Sequence, residues 1–136
     1  MSAVASVQHS LDSFKRTEST LGCAISTLDE HAKTRAVELD KMSGTRGPLH
    51  GMTVAVKDNL CTTFSETTCG SKILRGYRSP YNATVIDRLI DAGAIVVAKT
   101  NLDEYAMEIS RHCRFIKRTL LMTPPDPTQL DRKSVV

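Results

Sequence analysis

The chain has no tryptophan, no apolar run near the length of a membrane helix, and no pair of cysteines spaced to grip a metal. Each absence narrows the field. A spanning helix needs roughly 20 consecutive apolar residues, so a soluble chain without membrane contact is expected. Cys23, Cys61, Cys69 and Cys113 form no CxxC pair, and His9, His31, His50 and His112 do not fall at zinc-finger spacings beside them, so no metal site is expected. No apolar signal-peptide core opens the sequence, which makes reduced thiols the default. Cys61 and Cys69 lie in a Thr-rich stretch and read as buried or hydrogen-bonded thiols rather than nucleophiles.

What is present is ordinary globular composition: 136 residues, 40% hydrophobic and 24% charged. That length supports one domain burying roughly two thirds of its unfolded surface. The formal net charge is +3, which raises the question of a nucleic-acid surface. The charge is uneven. Residues 111–136 hold six Lys or Arg against Asp126 and Asp131, whereas the first 110 residues hold twelve basic against thirteen acidic side chains. This basic tail contains one aromatic, Phe115, too few to stack bases, so it reads as a solvated, disordered segment rather than a nucleic-acid site.

Start and stop signals give the organisation. Residues 1–26 carry only Asp12 and Glu18 as acids, several serines and the pair Lys15 and Arg16; they read as an N-terminal helix, around Leu11 to Ile25, or as a faint mitochondrial presequence. Thr27-Leu28-Asp29-Glu30 has the form of a capping box, with Thr27 as cap and Glu30 reaching back. A helix is predicted from there to Met42, with Ala32, Ala36 and Leu39 on its buried face. Gly44 and Gly47-Pro48 stop it. Thr53 to Lys57 reads as a covered strand, followed by a long loop from Asp58 to Asn82 containing one short helical turn; ordered loops of that length are rarely idle. A helix from Ala83 to Ala92 follows, capped by Asn82, with Val85, Ile86 and Leu89 buried. Ala94 to Lys99 reads as a strand buried on both faces and parallel to the first. Thr100-Asn101-Leu102-Asp103 offers another helix start, covering Leu102 to Met107.

The segments GPLHGMTVAVKDNLCTT, TTCGSKIL and PYNATVIDRLIDAGAIVVAKTNLDEYAM together resemble the N-terminal part of the amidase signature family. The likeness is dense from Gly47 to Met107. The combination CTT…TTCGSKIL…PYNATVI is most similar to the glutamyl-tRNA(Gln) amidotransferase branch of that family. The resemblance implies an α/β fold, a mixed sheet sandwiched by helices, of which this chain would supply N-terminal helices, a β-α-β unit and a disordered tail. It divides the chain into 1–26, a partial amidase domain at 27–110, and the divergent tail at 111–136.

It also implies a Ser-cisSer-Lys triad in which a lysine acts through a bridging serine on a nucleophilic serine. Glutamine would be attacked at its side-chain amide, and ammonia would pass to the B and C partner subunits or their eukaryotic equivalents. ATP and Mg would be bound by one of those partners, with no cofactor on this chain. Transfer RNA would be met only through the complex. By this match Lys57 is the catalytic lysine. A lysine is a base only when neutral, and bringing its pKa from about 10.4 to about 7 takes roughly 4 to 5 kcal/mol of cation destabilisation; burial at the strand end is the expected source. From the residues alone, Lys57 reads rather as a lysine reaching solvent or pairing with Asp58, and it is the flanking family motif that reverses this. Lys99 closes the second strand in the same way and reads as structural or surface-facing, and Asp58 and Asn59 as shaping the loop.

The family continues with a Gly/Ser-rich stretch carrying both serines, and nothing like it follows Met107 here. Ser110 and Ser134 lack the glycine neighbours that tight turns and oxyanion donors need. The expectation is a chain that is catalytically incomplete, produced by a truncated gene model, a frame change or an alternative splice; coding sequence past Met107 read in the other frames should restore the Gly/Ser stretch. Two parallel strands cannot cover a sheet of that fold, so strand 94–98 is expected to lack neighbours and the product to aggregate. Two other readings are an inert fragment that binds the partners and a different amide hydrolase of the same family. The family's eukaryotic setting and the Ser-rich start point to mitochondria, a bacterial origin to the cytoplasm.

Overall fold

The first helix, α1 (Ala3–Leu21), is held at its start by two side chains, one local and one distant. The Ser2 hydroxyl accepts from the Ala5 N–H at 3.1 Å, and the Asp40 carboxylate accepts from the N–H groups of Ala3 and Val4 at 2.8 and 3.1 Å. Backbone donors that a helix leaves orphaned are thus satisfied by a residue on another helix. Ala3, Val7 and Leu11, each four apart, form the buried stripe. The helix closes on Gly22, and the Glu18 carboxylate then accepts from the backbone of Cys23 and Ala24. These bonds steer the chain directly into a strand, β1 (Ala24–Thr27).

The computed structural model describes residues 2–42 and 47–107. After β1 come α2 (Asp29–Lys41), β2 (Thr53–Lys57), α3 (Thr84–Asp91), β3 (Ile95–Thr100) and a single 3-10 turn at Glu104–Ala106. The sheet order is β1-β3-β2, with β1 antiparallel and β2 parallel to the central β3. One face of the sheet packs α1 and α2: Ala3, Val7, Leu11, Ala32, Ala36 and Leu39 enclose Ile95 and Val97. Small residues at 3, 32 and 36 let the two helices approach each other. The other face packs α3, with Ile86 against Val56 and Val96. At eight residues α3 is too short to persist alone; burial of Ile86, 0% exposed, contributes about 1.5–3 kcal/mol toward holding it.

Several expectations hold: α2, β2, α3, β3 and the parallel pair lie where the pattern puts them. Others are corrected. Thr27 is not a cap, because it belongs to β1 and pairs with Ala98; Leu28 takes the cap position without a side-chain bond, and its N–H donates to the Val97 carbonyl. The first helix ends at Leu21 rather than Ile25, because β1 claims the following residues. β3 is therefore not short of neighbours. Among the described residues β1 and β2 are the two edge strands, and β2 is the one whose end carries Lys57. In α3, Val85 is 46% exposed and Ile90 joins the packed face in its place. Asn82 serves not as cap but as a strut, accepting from the Thr63 N–H and donating to Asp87. The stretch from 58 to 82 has no helical turn; it is fastened by a bridge between Glu66 and Arg78. The readings of the basic tail, Cys113, Ser110 and Ser134 fall outside the described residues.

Candidate active site

Lys57 is the last residue of β2, at the carboxyl end of the parallel pair, opposite Thr100. Its backbone is well fixed: the Asp58 N–H donates to the Thr100 carbonyl at 3.1 Å, and the Lys57 carbonyl accepts from Leu60 at 3.0 Å. Its side chain is exposed. The burial expected of a lysine tuned to act as a base is not provided by the described residues, and the topology explains why. Among the described residues β2 is an outer strand, and α1 reaches it near Thr53, whose hydroxyl lies 2.8 Å from that of Ser10. Ala55 and Lys57 are both left uncovered.

The buried lysine is Lys99 instead, at 0% exposure. A bulge in β3 puts it there. Val54 lies opposite Val96, but Ala55 lies opposite Ala98 and Val56 opposite Lys99, so one extra residue, at Val97, intervenes on the β3 side. Directly opposed residues share a face. Lys99 is thereby turned to the face of Val56 and away from the α1–α2 face that holds Val97. Simple alternation along the strand would have put Val97 and Lys99 together.

On that face the Lys99 ammonium uses all three of its donors. It lies 2.6 Å from the Leu60 carbonyl oxygen, 3.2 Å from the Thr67 hydroxyl and 3.3 Å from Asp58 Oδ1. Asp58 is 1% exposed, and its other oxygen accepts from the N–H and hydroxyl of Thr68. Burial lowers the pKa of Lys99 below its ordinary value, and the nearby Asp58 carboxylate opposes that shift. Burial also raises the Cys69 thiol, with the Asp58 and Cys61 charges adding to it and Lys99 opposing. Lys99 is thus structural rather than surface-facing, and Asp58 does shape the loop. Their pairing was not legible, since it depends on the bulge.

A groove of about 610 Å³ lies beside this cluster, between β1 and the 58–82 segment, bordered by Ser26, Leu28, Phe64, Glu66, Arg75 and Arg78. Asp58 reaches it and Lys57 does not. Among the described residues no three His, Cys, Asp or Glu side chains gather to hold a metal, and no helix is long and apolar enough to cross a membrane.

Residues 5–121 fit the family described as Amidase, and the chain belongs to it. The match extends past Met107, beyond the dense likeness in the sequence. The chain is 45% identical over 111 residues to the A subunit of the Symbiobacterium thermophilum glutamyl-tRNA(Gln) amidotransferase, covering 79% of this chain and 23% of that protein. It is 51% identical over 102 residues to the A subunit of the chloroplastic/mitochondrial glutamyl-tRNA(Gln) amidotransferase of Zea mays, covering 71% of this chain and 19% of that one. Its fold superposes on the crystal structure of the A subunit of the Thermotoga maritima glutamyl-tRNA(Gln) amidotransferase with a TM-score of 0.66 and 34% identity, covering 84% of this chain and 23% of that one. The fold is therefore a portion of the amidase fold, and the chain spans only about a quarter or less of the length of these relatives.

Proposed function

We propose that this chain is the N-terminal part of the glutaminase subunit of a glutamyl-tRNA(Gln) amidotransferase, with Lys57 as the base of a Ser-cisSer-Lys triad. The observation that carries this is the position of Lys57: it ends β2 at the carboxyl rim of a parallel pair, inside the segment matched by relatives that bear that name. Open α/β sheets place their chemistry at such rims. In the assembled enzyme, neutral Lys57 draws a proton through a bridging serine from a nucleophilic serine, which attacks the glutamine side-chain amide. Ammonia leaves, water hydrolyses the acyl-enzyme, and the ammonia goes to the B and C partner subunits or their equivalents, where the glutamate on tRNA(Gln) is amidated.

Lys57 is exposed here, so its desolvation has to come from the part of the fold that carries the serines, laid against the uncovered side of β2. The 136 residues contain no Gly/Ser-rich stretch matching those serines, and the isolated chain is expected to hydrolyse no glutamine. The proposed compartment is mitochondrial, which agrees with the organellar name of the Zea mays relative.

The test is a chimera in which residues 5–107 replace the matched segment of the Symbiobacterium thermophilum protein in its complex. Glutamine hydrolysis and amidation of Glu-tRNA(Gln) should both persist. Lys57→Met should abolish the hydrolysis; a chimera that still releases ammonia with Met at position 57 refutes the assignment. If the chimera hydrolyses free small amides but not glutamine, a different amide hydrolase is the better reading.

A further inference from the structure

The buried pair behind Lys57 is costly for what it contributes to stability alone. A buried ion pair is often replaceable by apolar residues of similar volume without loss, whereas removing one partner is strongly destabilising. Lys99 and Asp58 nonetheless bond in detail to one short piece of backbone. Lys99 holds the Leu60 carbonyl, and Asp58 holds Thr68 through its side chain. The Asp58 main chain donates to Thr100 and accepts from Cys69, while the Lys57 carbonyl accepts from Leu60. Every one of these contacts falls on residues 57 to 60 or on the strand and loop that flank them.

We propose that Lys99 and Asp58 are a positioning pair that fixes the turn at residues 57–60, and so the point from which the Lys57 side chain leaves the sheet. The proposal rests on the reading of Lys57 as the base. A base acting through a bridging hydroxyl must be aimed closely, because small misplacements of reacting groups cost large factors in rate. An exposed lysine on an outer strand has little packing of its own to aim it. The neighbouring pair supplies the fixed frame, and the bulge at Val97 turns Lys99 to the side where it can do so.

Two measurements test this. In the 136-residue chain, Lys99→Met should speed amide exchange at Asp58, Leu60 and Cys69 by about tenfold or more beyond the rise seen at Leu28 and Ala32, whose N–H groups bond Val97 and Leu28 and report the general loss of stability. A uniform rise, or none, overturns the proposal, since a purely structural pair would loosen everything together. In the chimeric complex, Lys99→Met should lower kcat for glutamine by about tenfold or more, with KM held within about twofold. If Lys57→Met abolishes hydrolysis but Lys99→Met leaves kcat at the parent value, positioning is refuted and the assignment of Lys57 stands. If Lys57→Met is active, the functional reading itself fails. Should Lys99→Met not fold, Asp58→Asn, which keeps the shape of the side chain, must give the same selective exchange pattern or the proposal falls.

Discussion

His31 on α2 stacks flat against Phe64 in the 58–82 segment, with ring centroids 4.0 Å apart and planes within 5°. This contact joins the helix layer to the long segment that carries the Asp58 cluster. Burial lowers the pKa of His31 below its ordinary 6.5, the Arg35 charge adds to the shift, and Glu38 opposes it. The unfolded chain therefore takes up the proton first as pH falls. Stability from the neutral ring is present in full above about pH 6.5 and is lost on acidification from there down to the lowered folded value. Urea midpoints across this range should fall for the parent and stay flatter for His31→Phe, which keeps the stack but has no proton to bind. Parallel curves for the two proteins would count against the assignment.

The Lys99–Asp58 pair predicts strong coupling in stability. Lys99→Met leaves a buried carboxylate without its cation and should cost about 3–5 kcal/mol. The double variant Lys99→Met, Asp58→Asn should be less destabilised than the sum of the two singles, by about 0.5–3 kcal/mol. The sign with pH is also fixed. Because the folded pKa of Lys99 lies below the ordinary 10.5, the folded state releases this proton first, and stability should rise as pH climbs from the folded value toward 10.5. That rise should be missing from Lys99→Met in denaturant melts run at alkaline pH.

Cys69 should be slow to alkylate. Its thiol is raised above the ordinary 9.0 by burial and by the Asp58 and Cys61 charges, and only the thiolate reacts. At pH 8 iodoacetamide should label Cys69 more slowly in the folded chain than after denaturation, and Asp58→Asn should speed the folded reaction. Mass spectrometry of the peptide containing Cys69 reads both rates.

Gly47 and Gly76 separate two reasons for glycine. A Cβ on Gly47 would lie 2.3 Å from the carbonyl oxygen of Ala92 and 2.6 Å from its carbon, so backbone would have to move. Gly76 has φ +82 but open space around it. Gly47→Ala should cost about 1–3 kcal/mol through overpacking, and Gly76→Ala about 1–2 kcal/mol through left-handed strain. The difference in kind is measurable: Gly47→Ala should perturb amide chemical shifts at Ala92 and Leu49, which share a bond to that carbonyl, whereas shifts from Gly76→Ala should stay within its own turn.

Hydrophobic period was a good guide where a whole element obeyed it. Ala32, Ala36 and Leu39 are buried on α2 as their spacing requires, and the unbroken apolar run of β3 is buried along its length. The reading failed where a residue had two roles open to it. Thr27 fits a helix cap and a strand equally, and pairing with Ala98 decided the matter, a contact some seventy residues away that no local window contains. β1 itself has four residues and a burial pattern without alternation, too short a signal to register. Lys57 was found through family likeness, not through local chemistry, and its exposure could not be foreseen from the strand alone, since which strand lies outermost is set by topology.

The extra residue at Val97 has a consequence for anyone altering this strand. Upstream of it, even-numbered positions look toward α3; downstream, odd-numbered ones do. Were the strand to run through this point as a regular pleat with no residue lost, an ammonium group would swing into the oily seam under α1 and α2, whereas deleting Val97 would leave Lys99 opposite Val56 and facing α3. The bulge thus works as a switch in the reading frame of the sheet, deciding which layer of the molecule receives a charge.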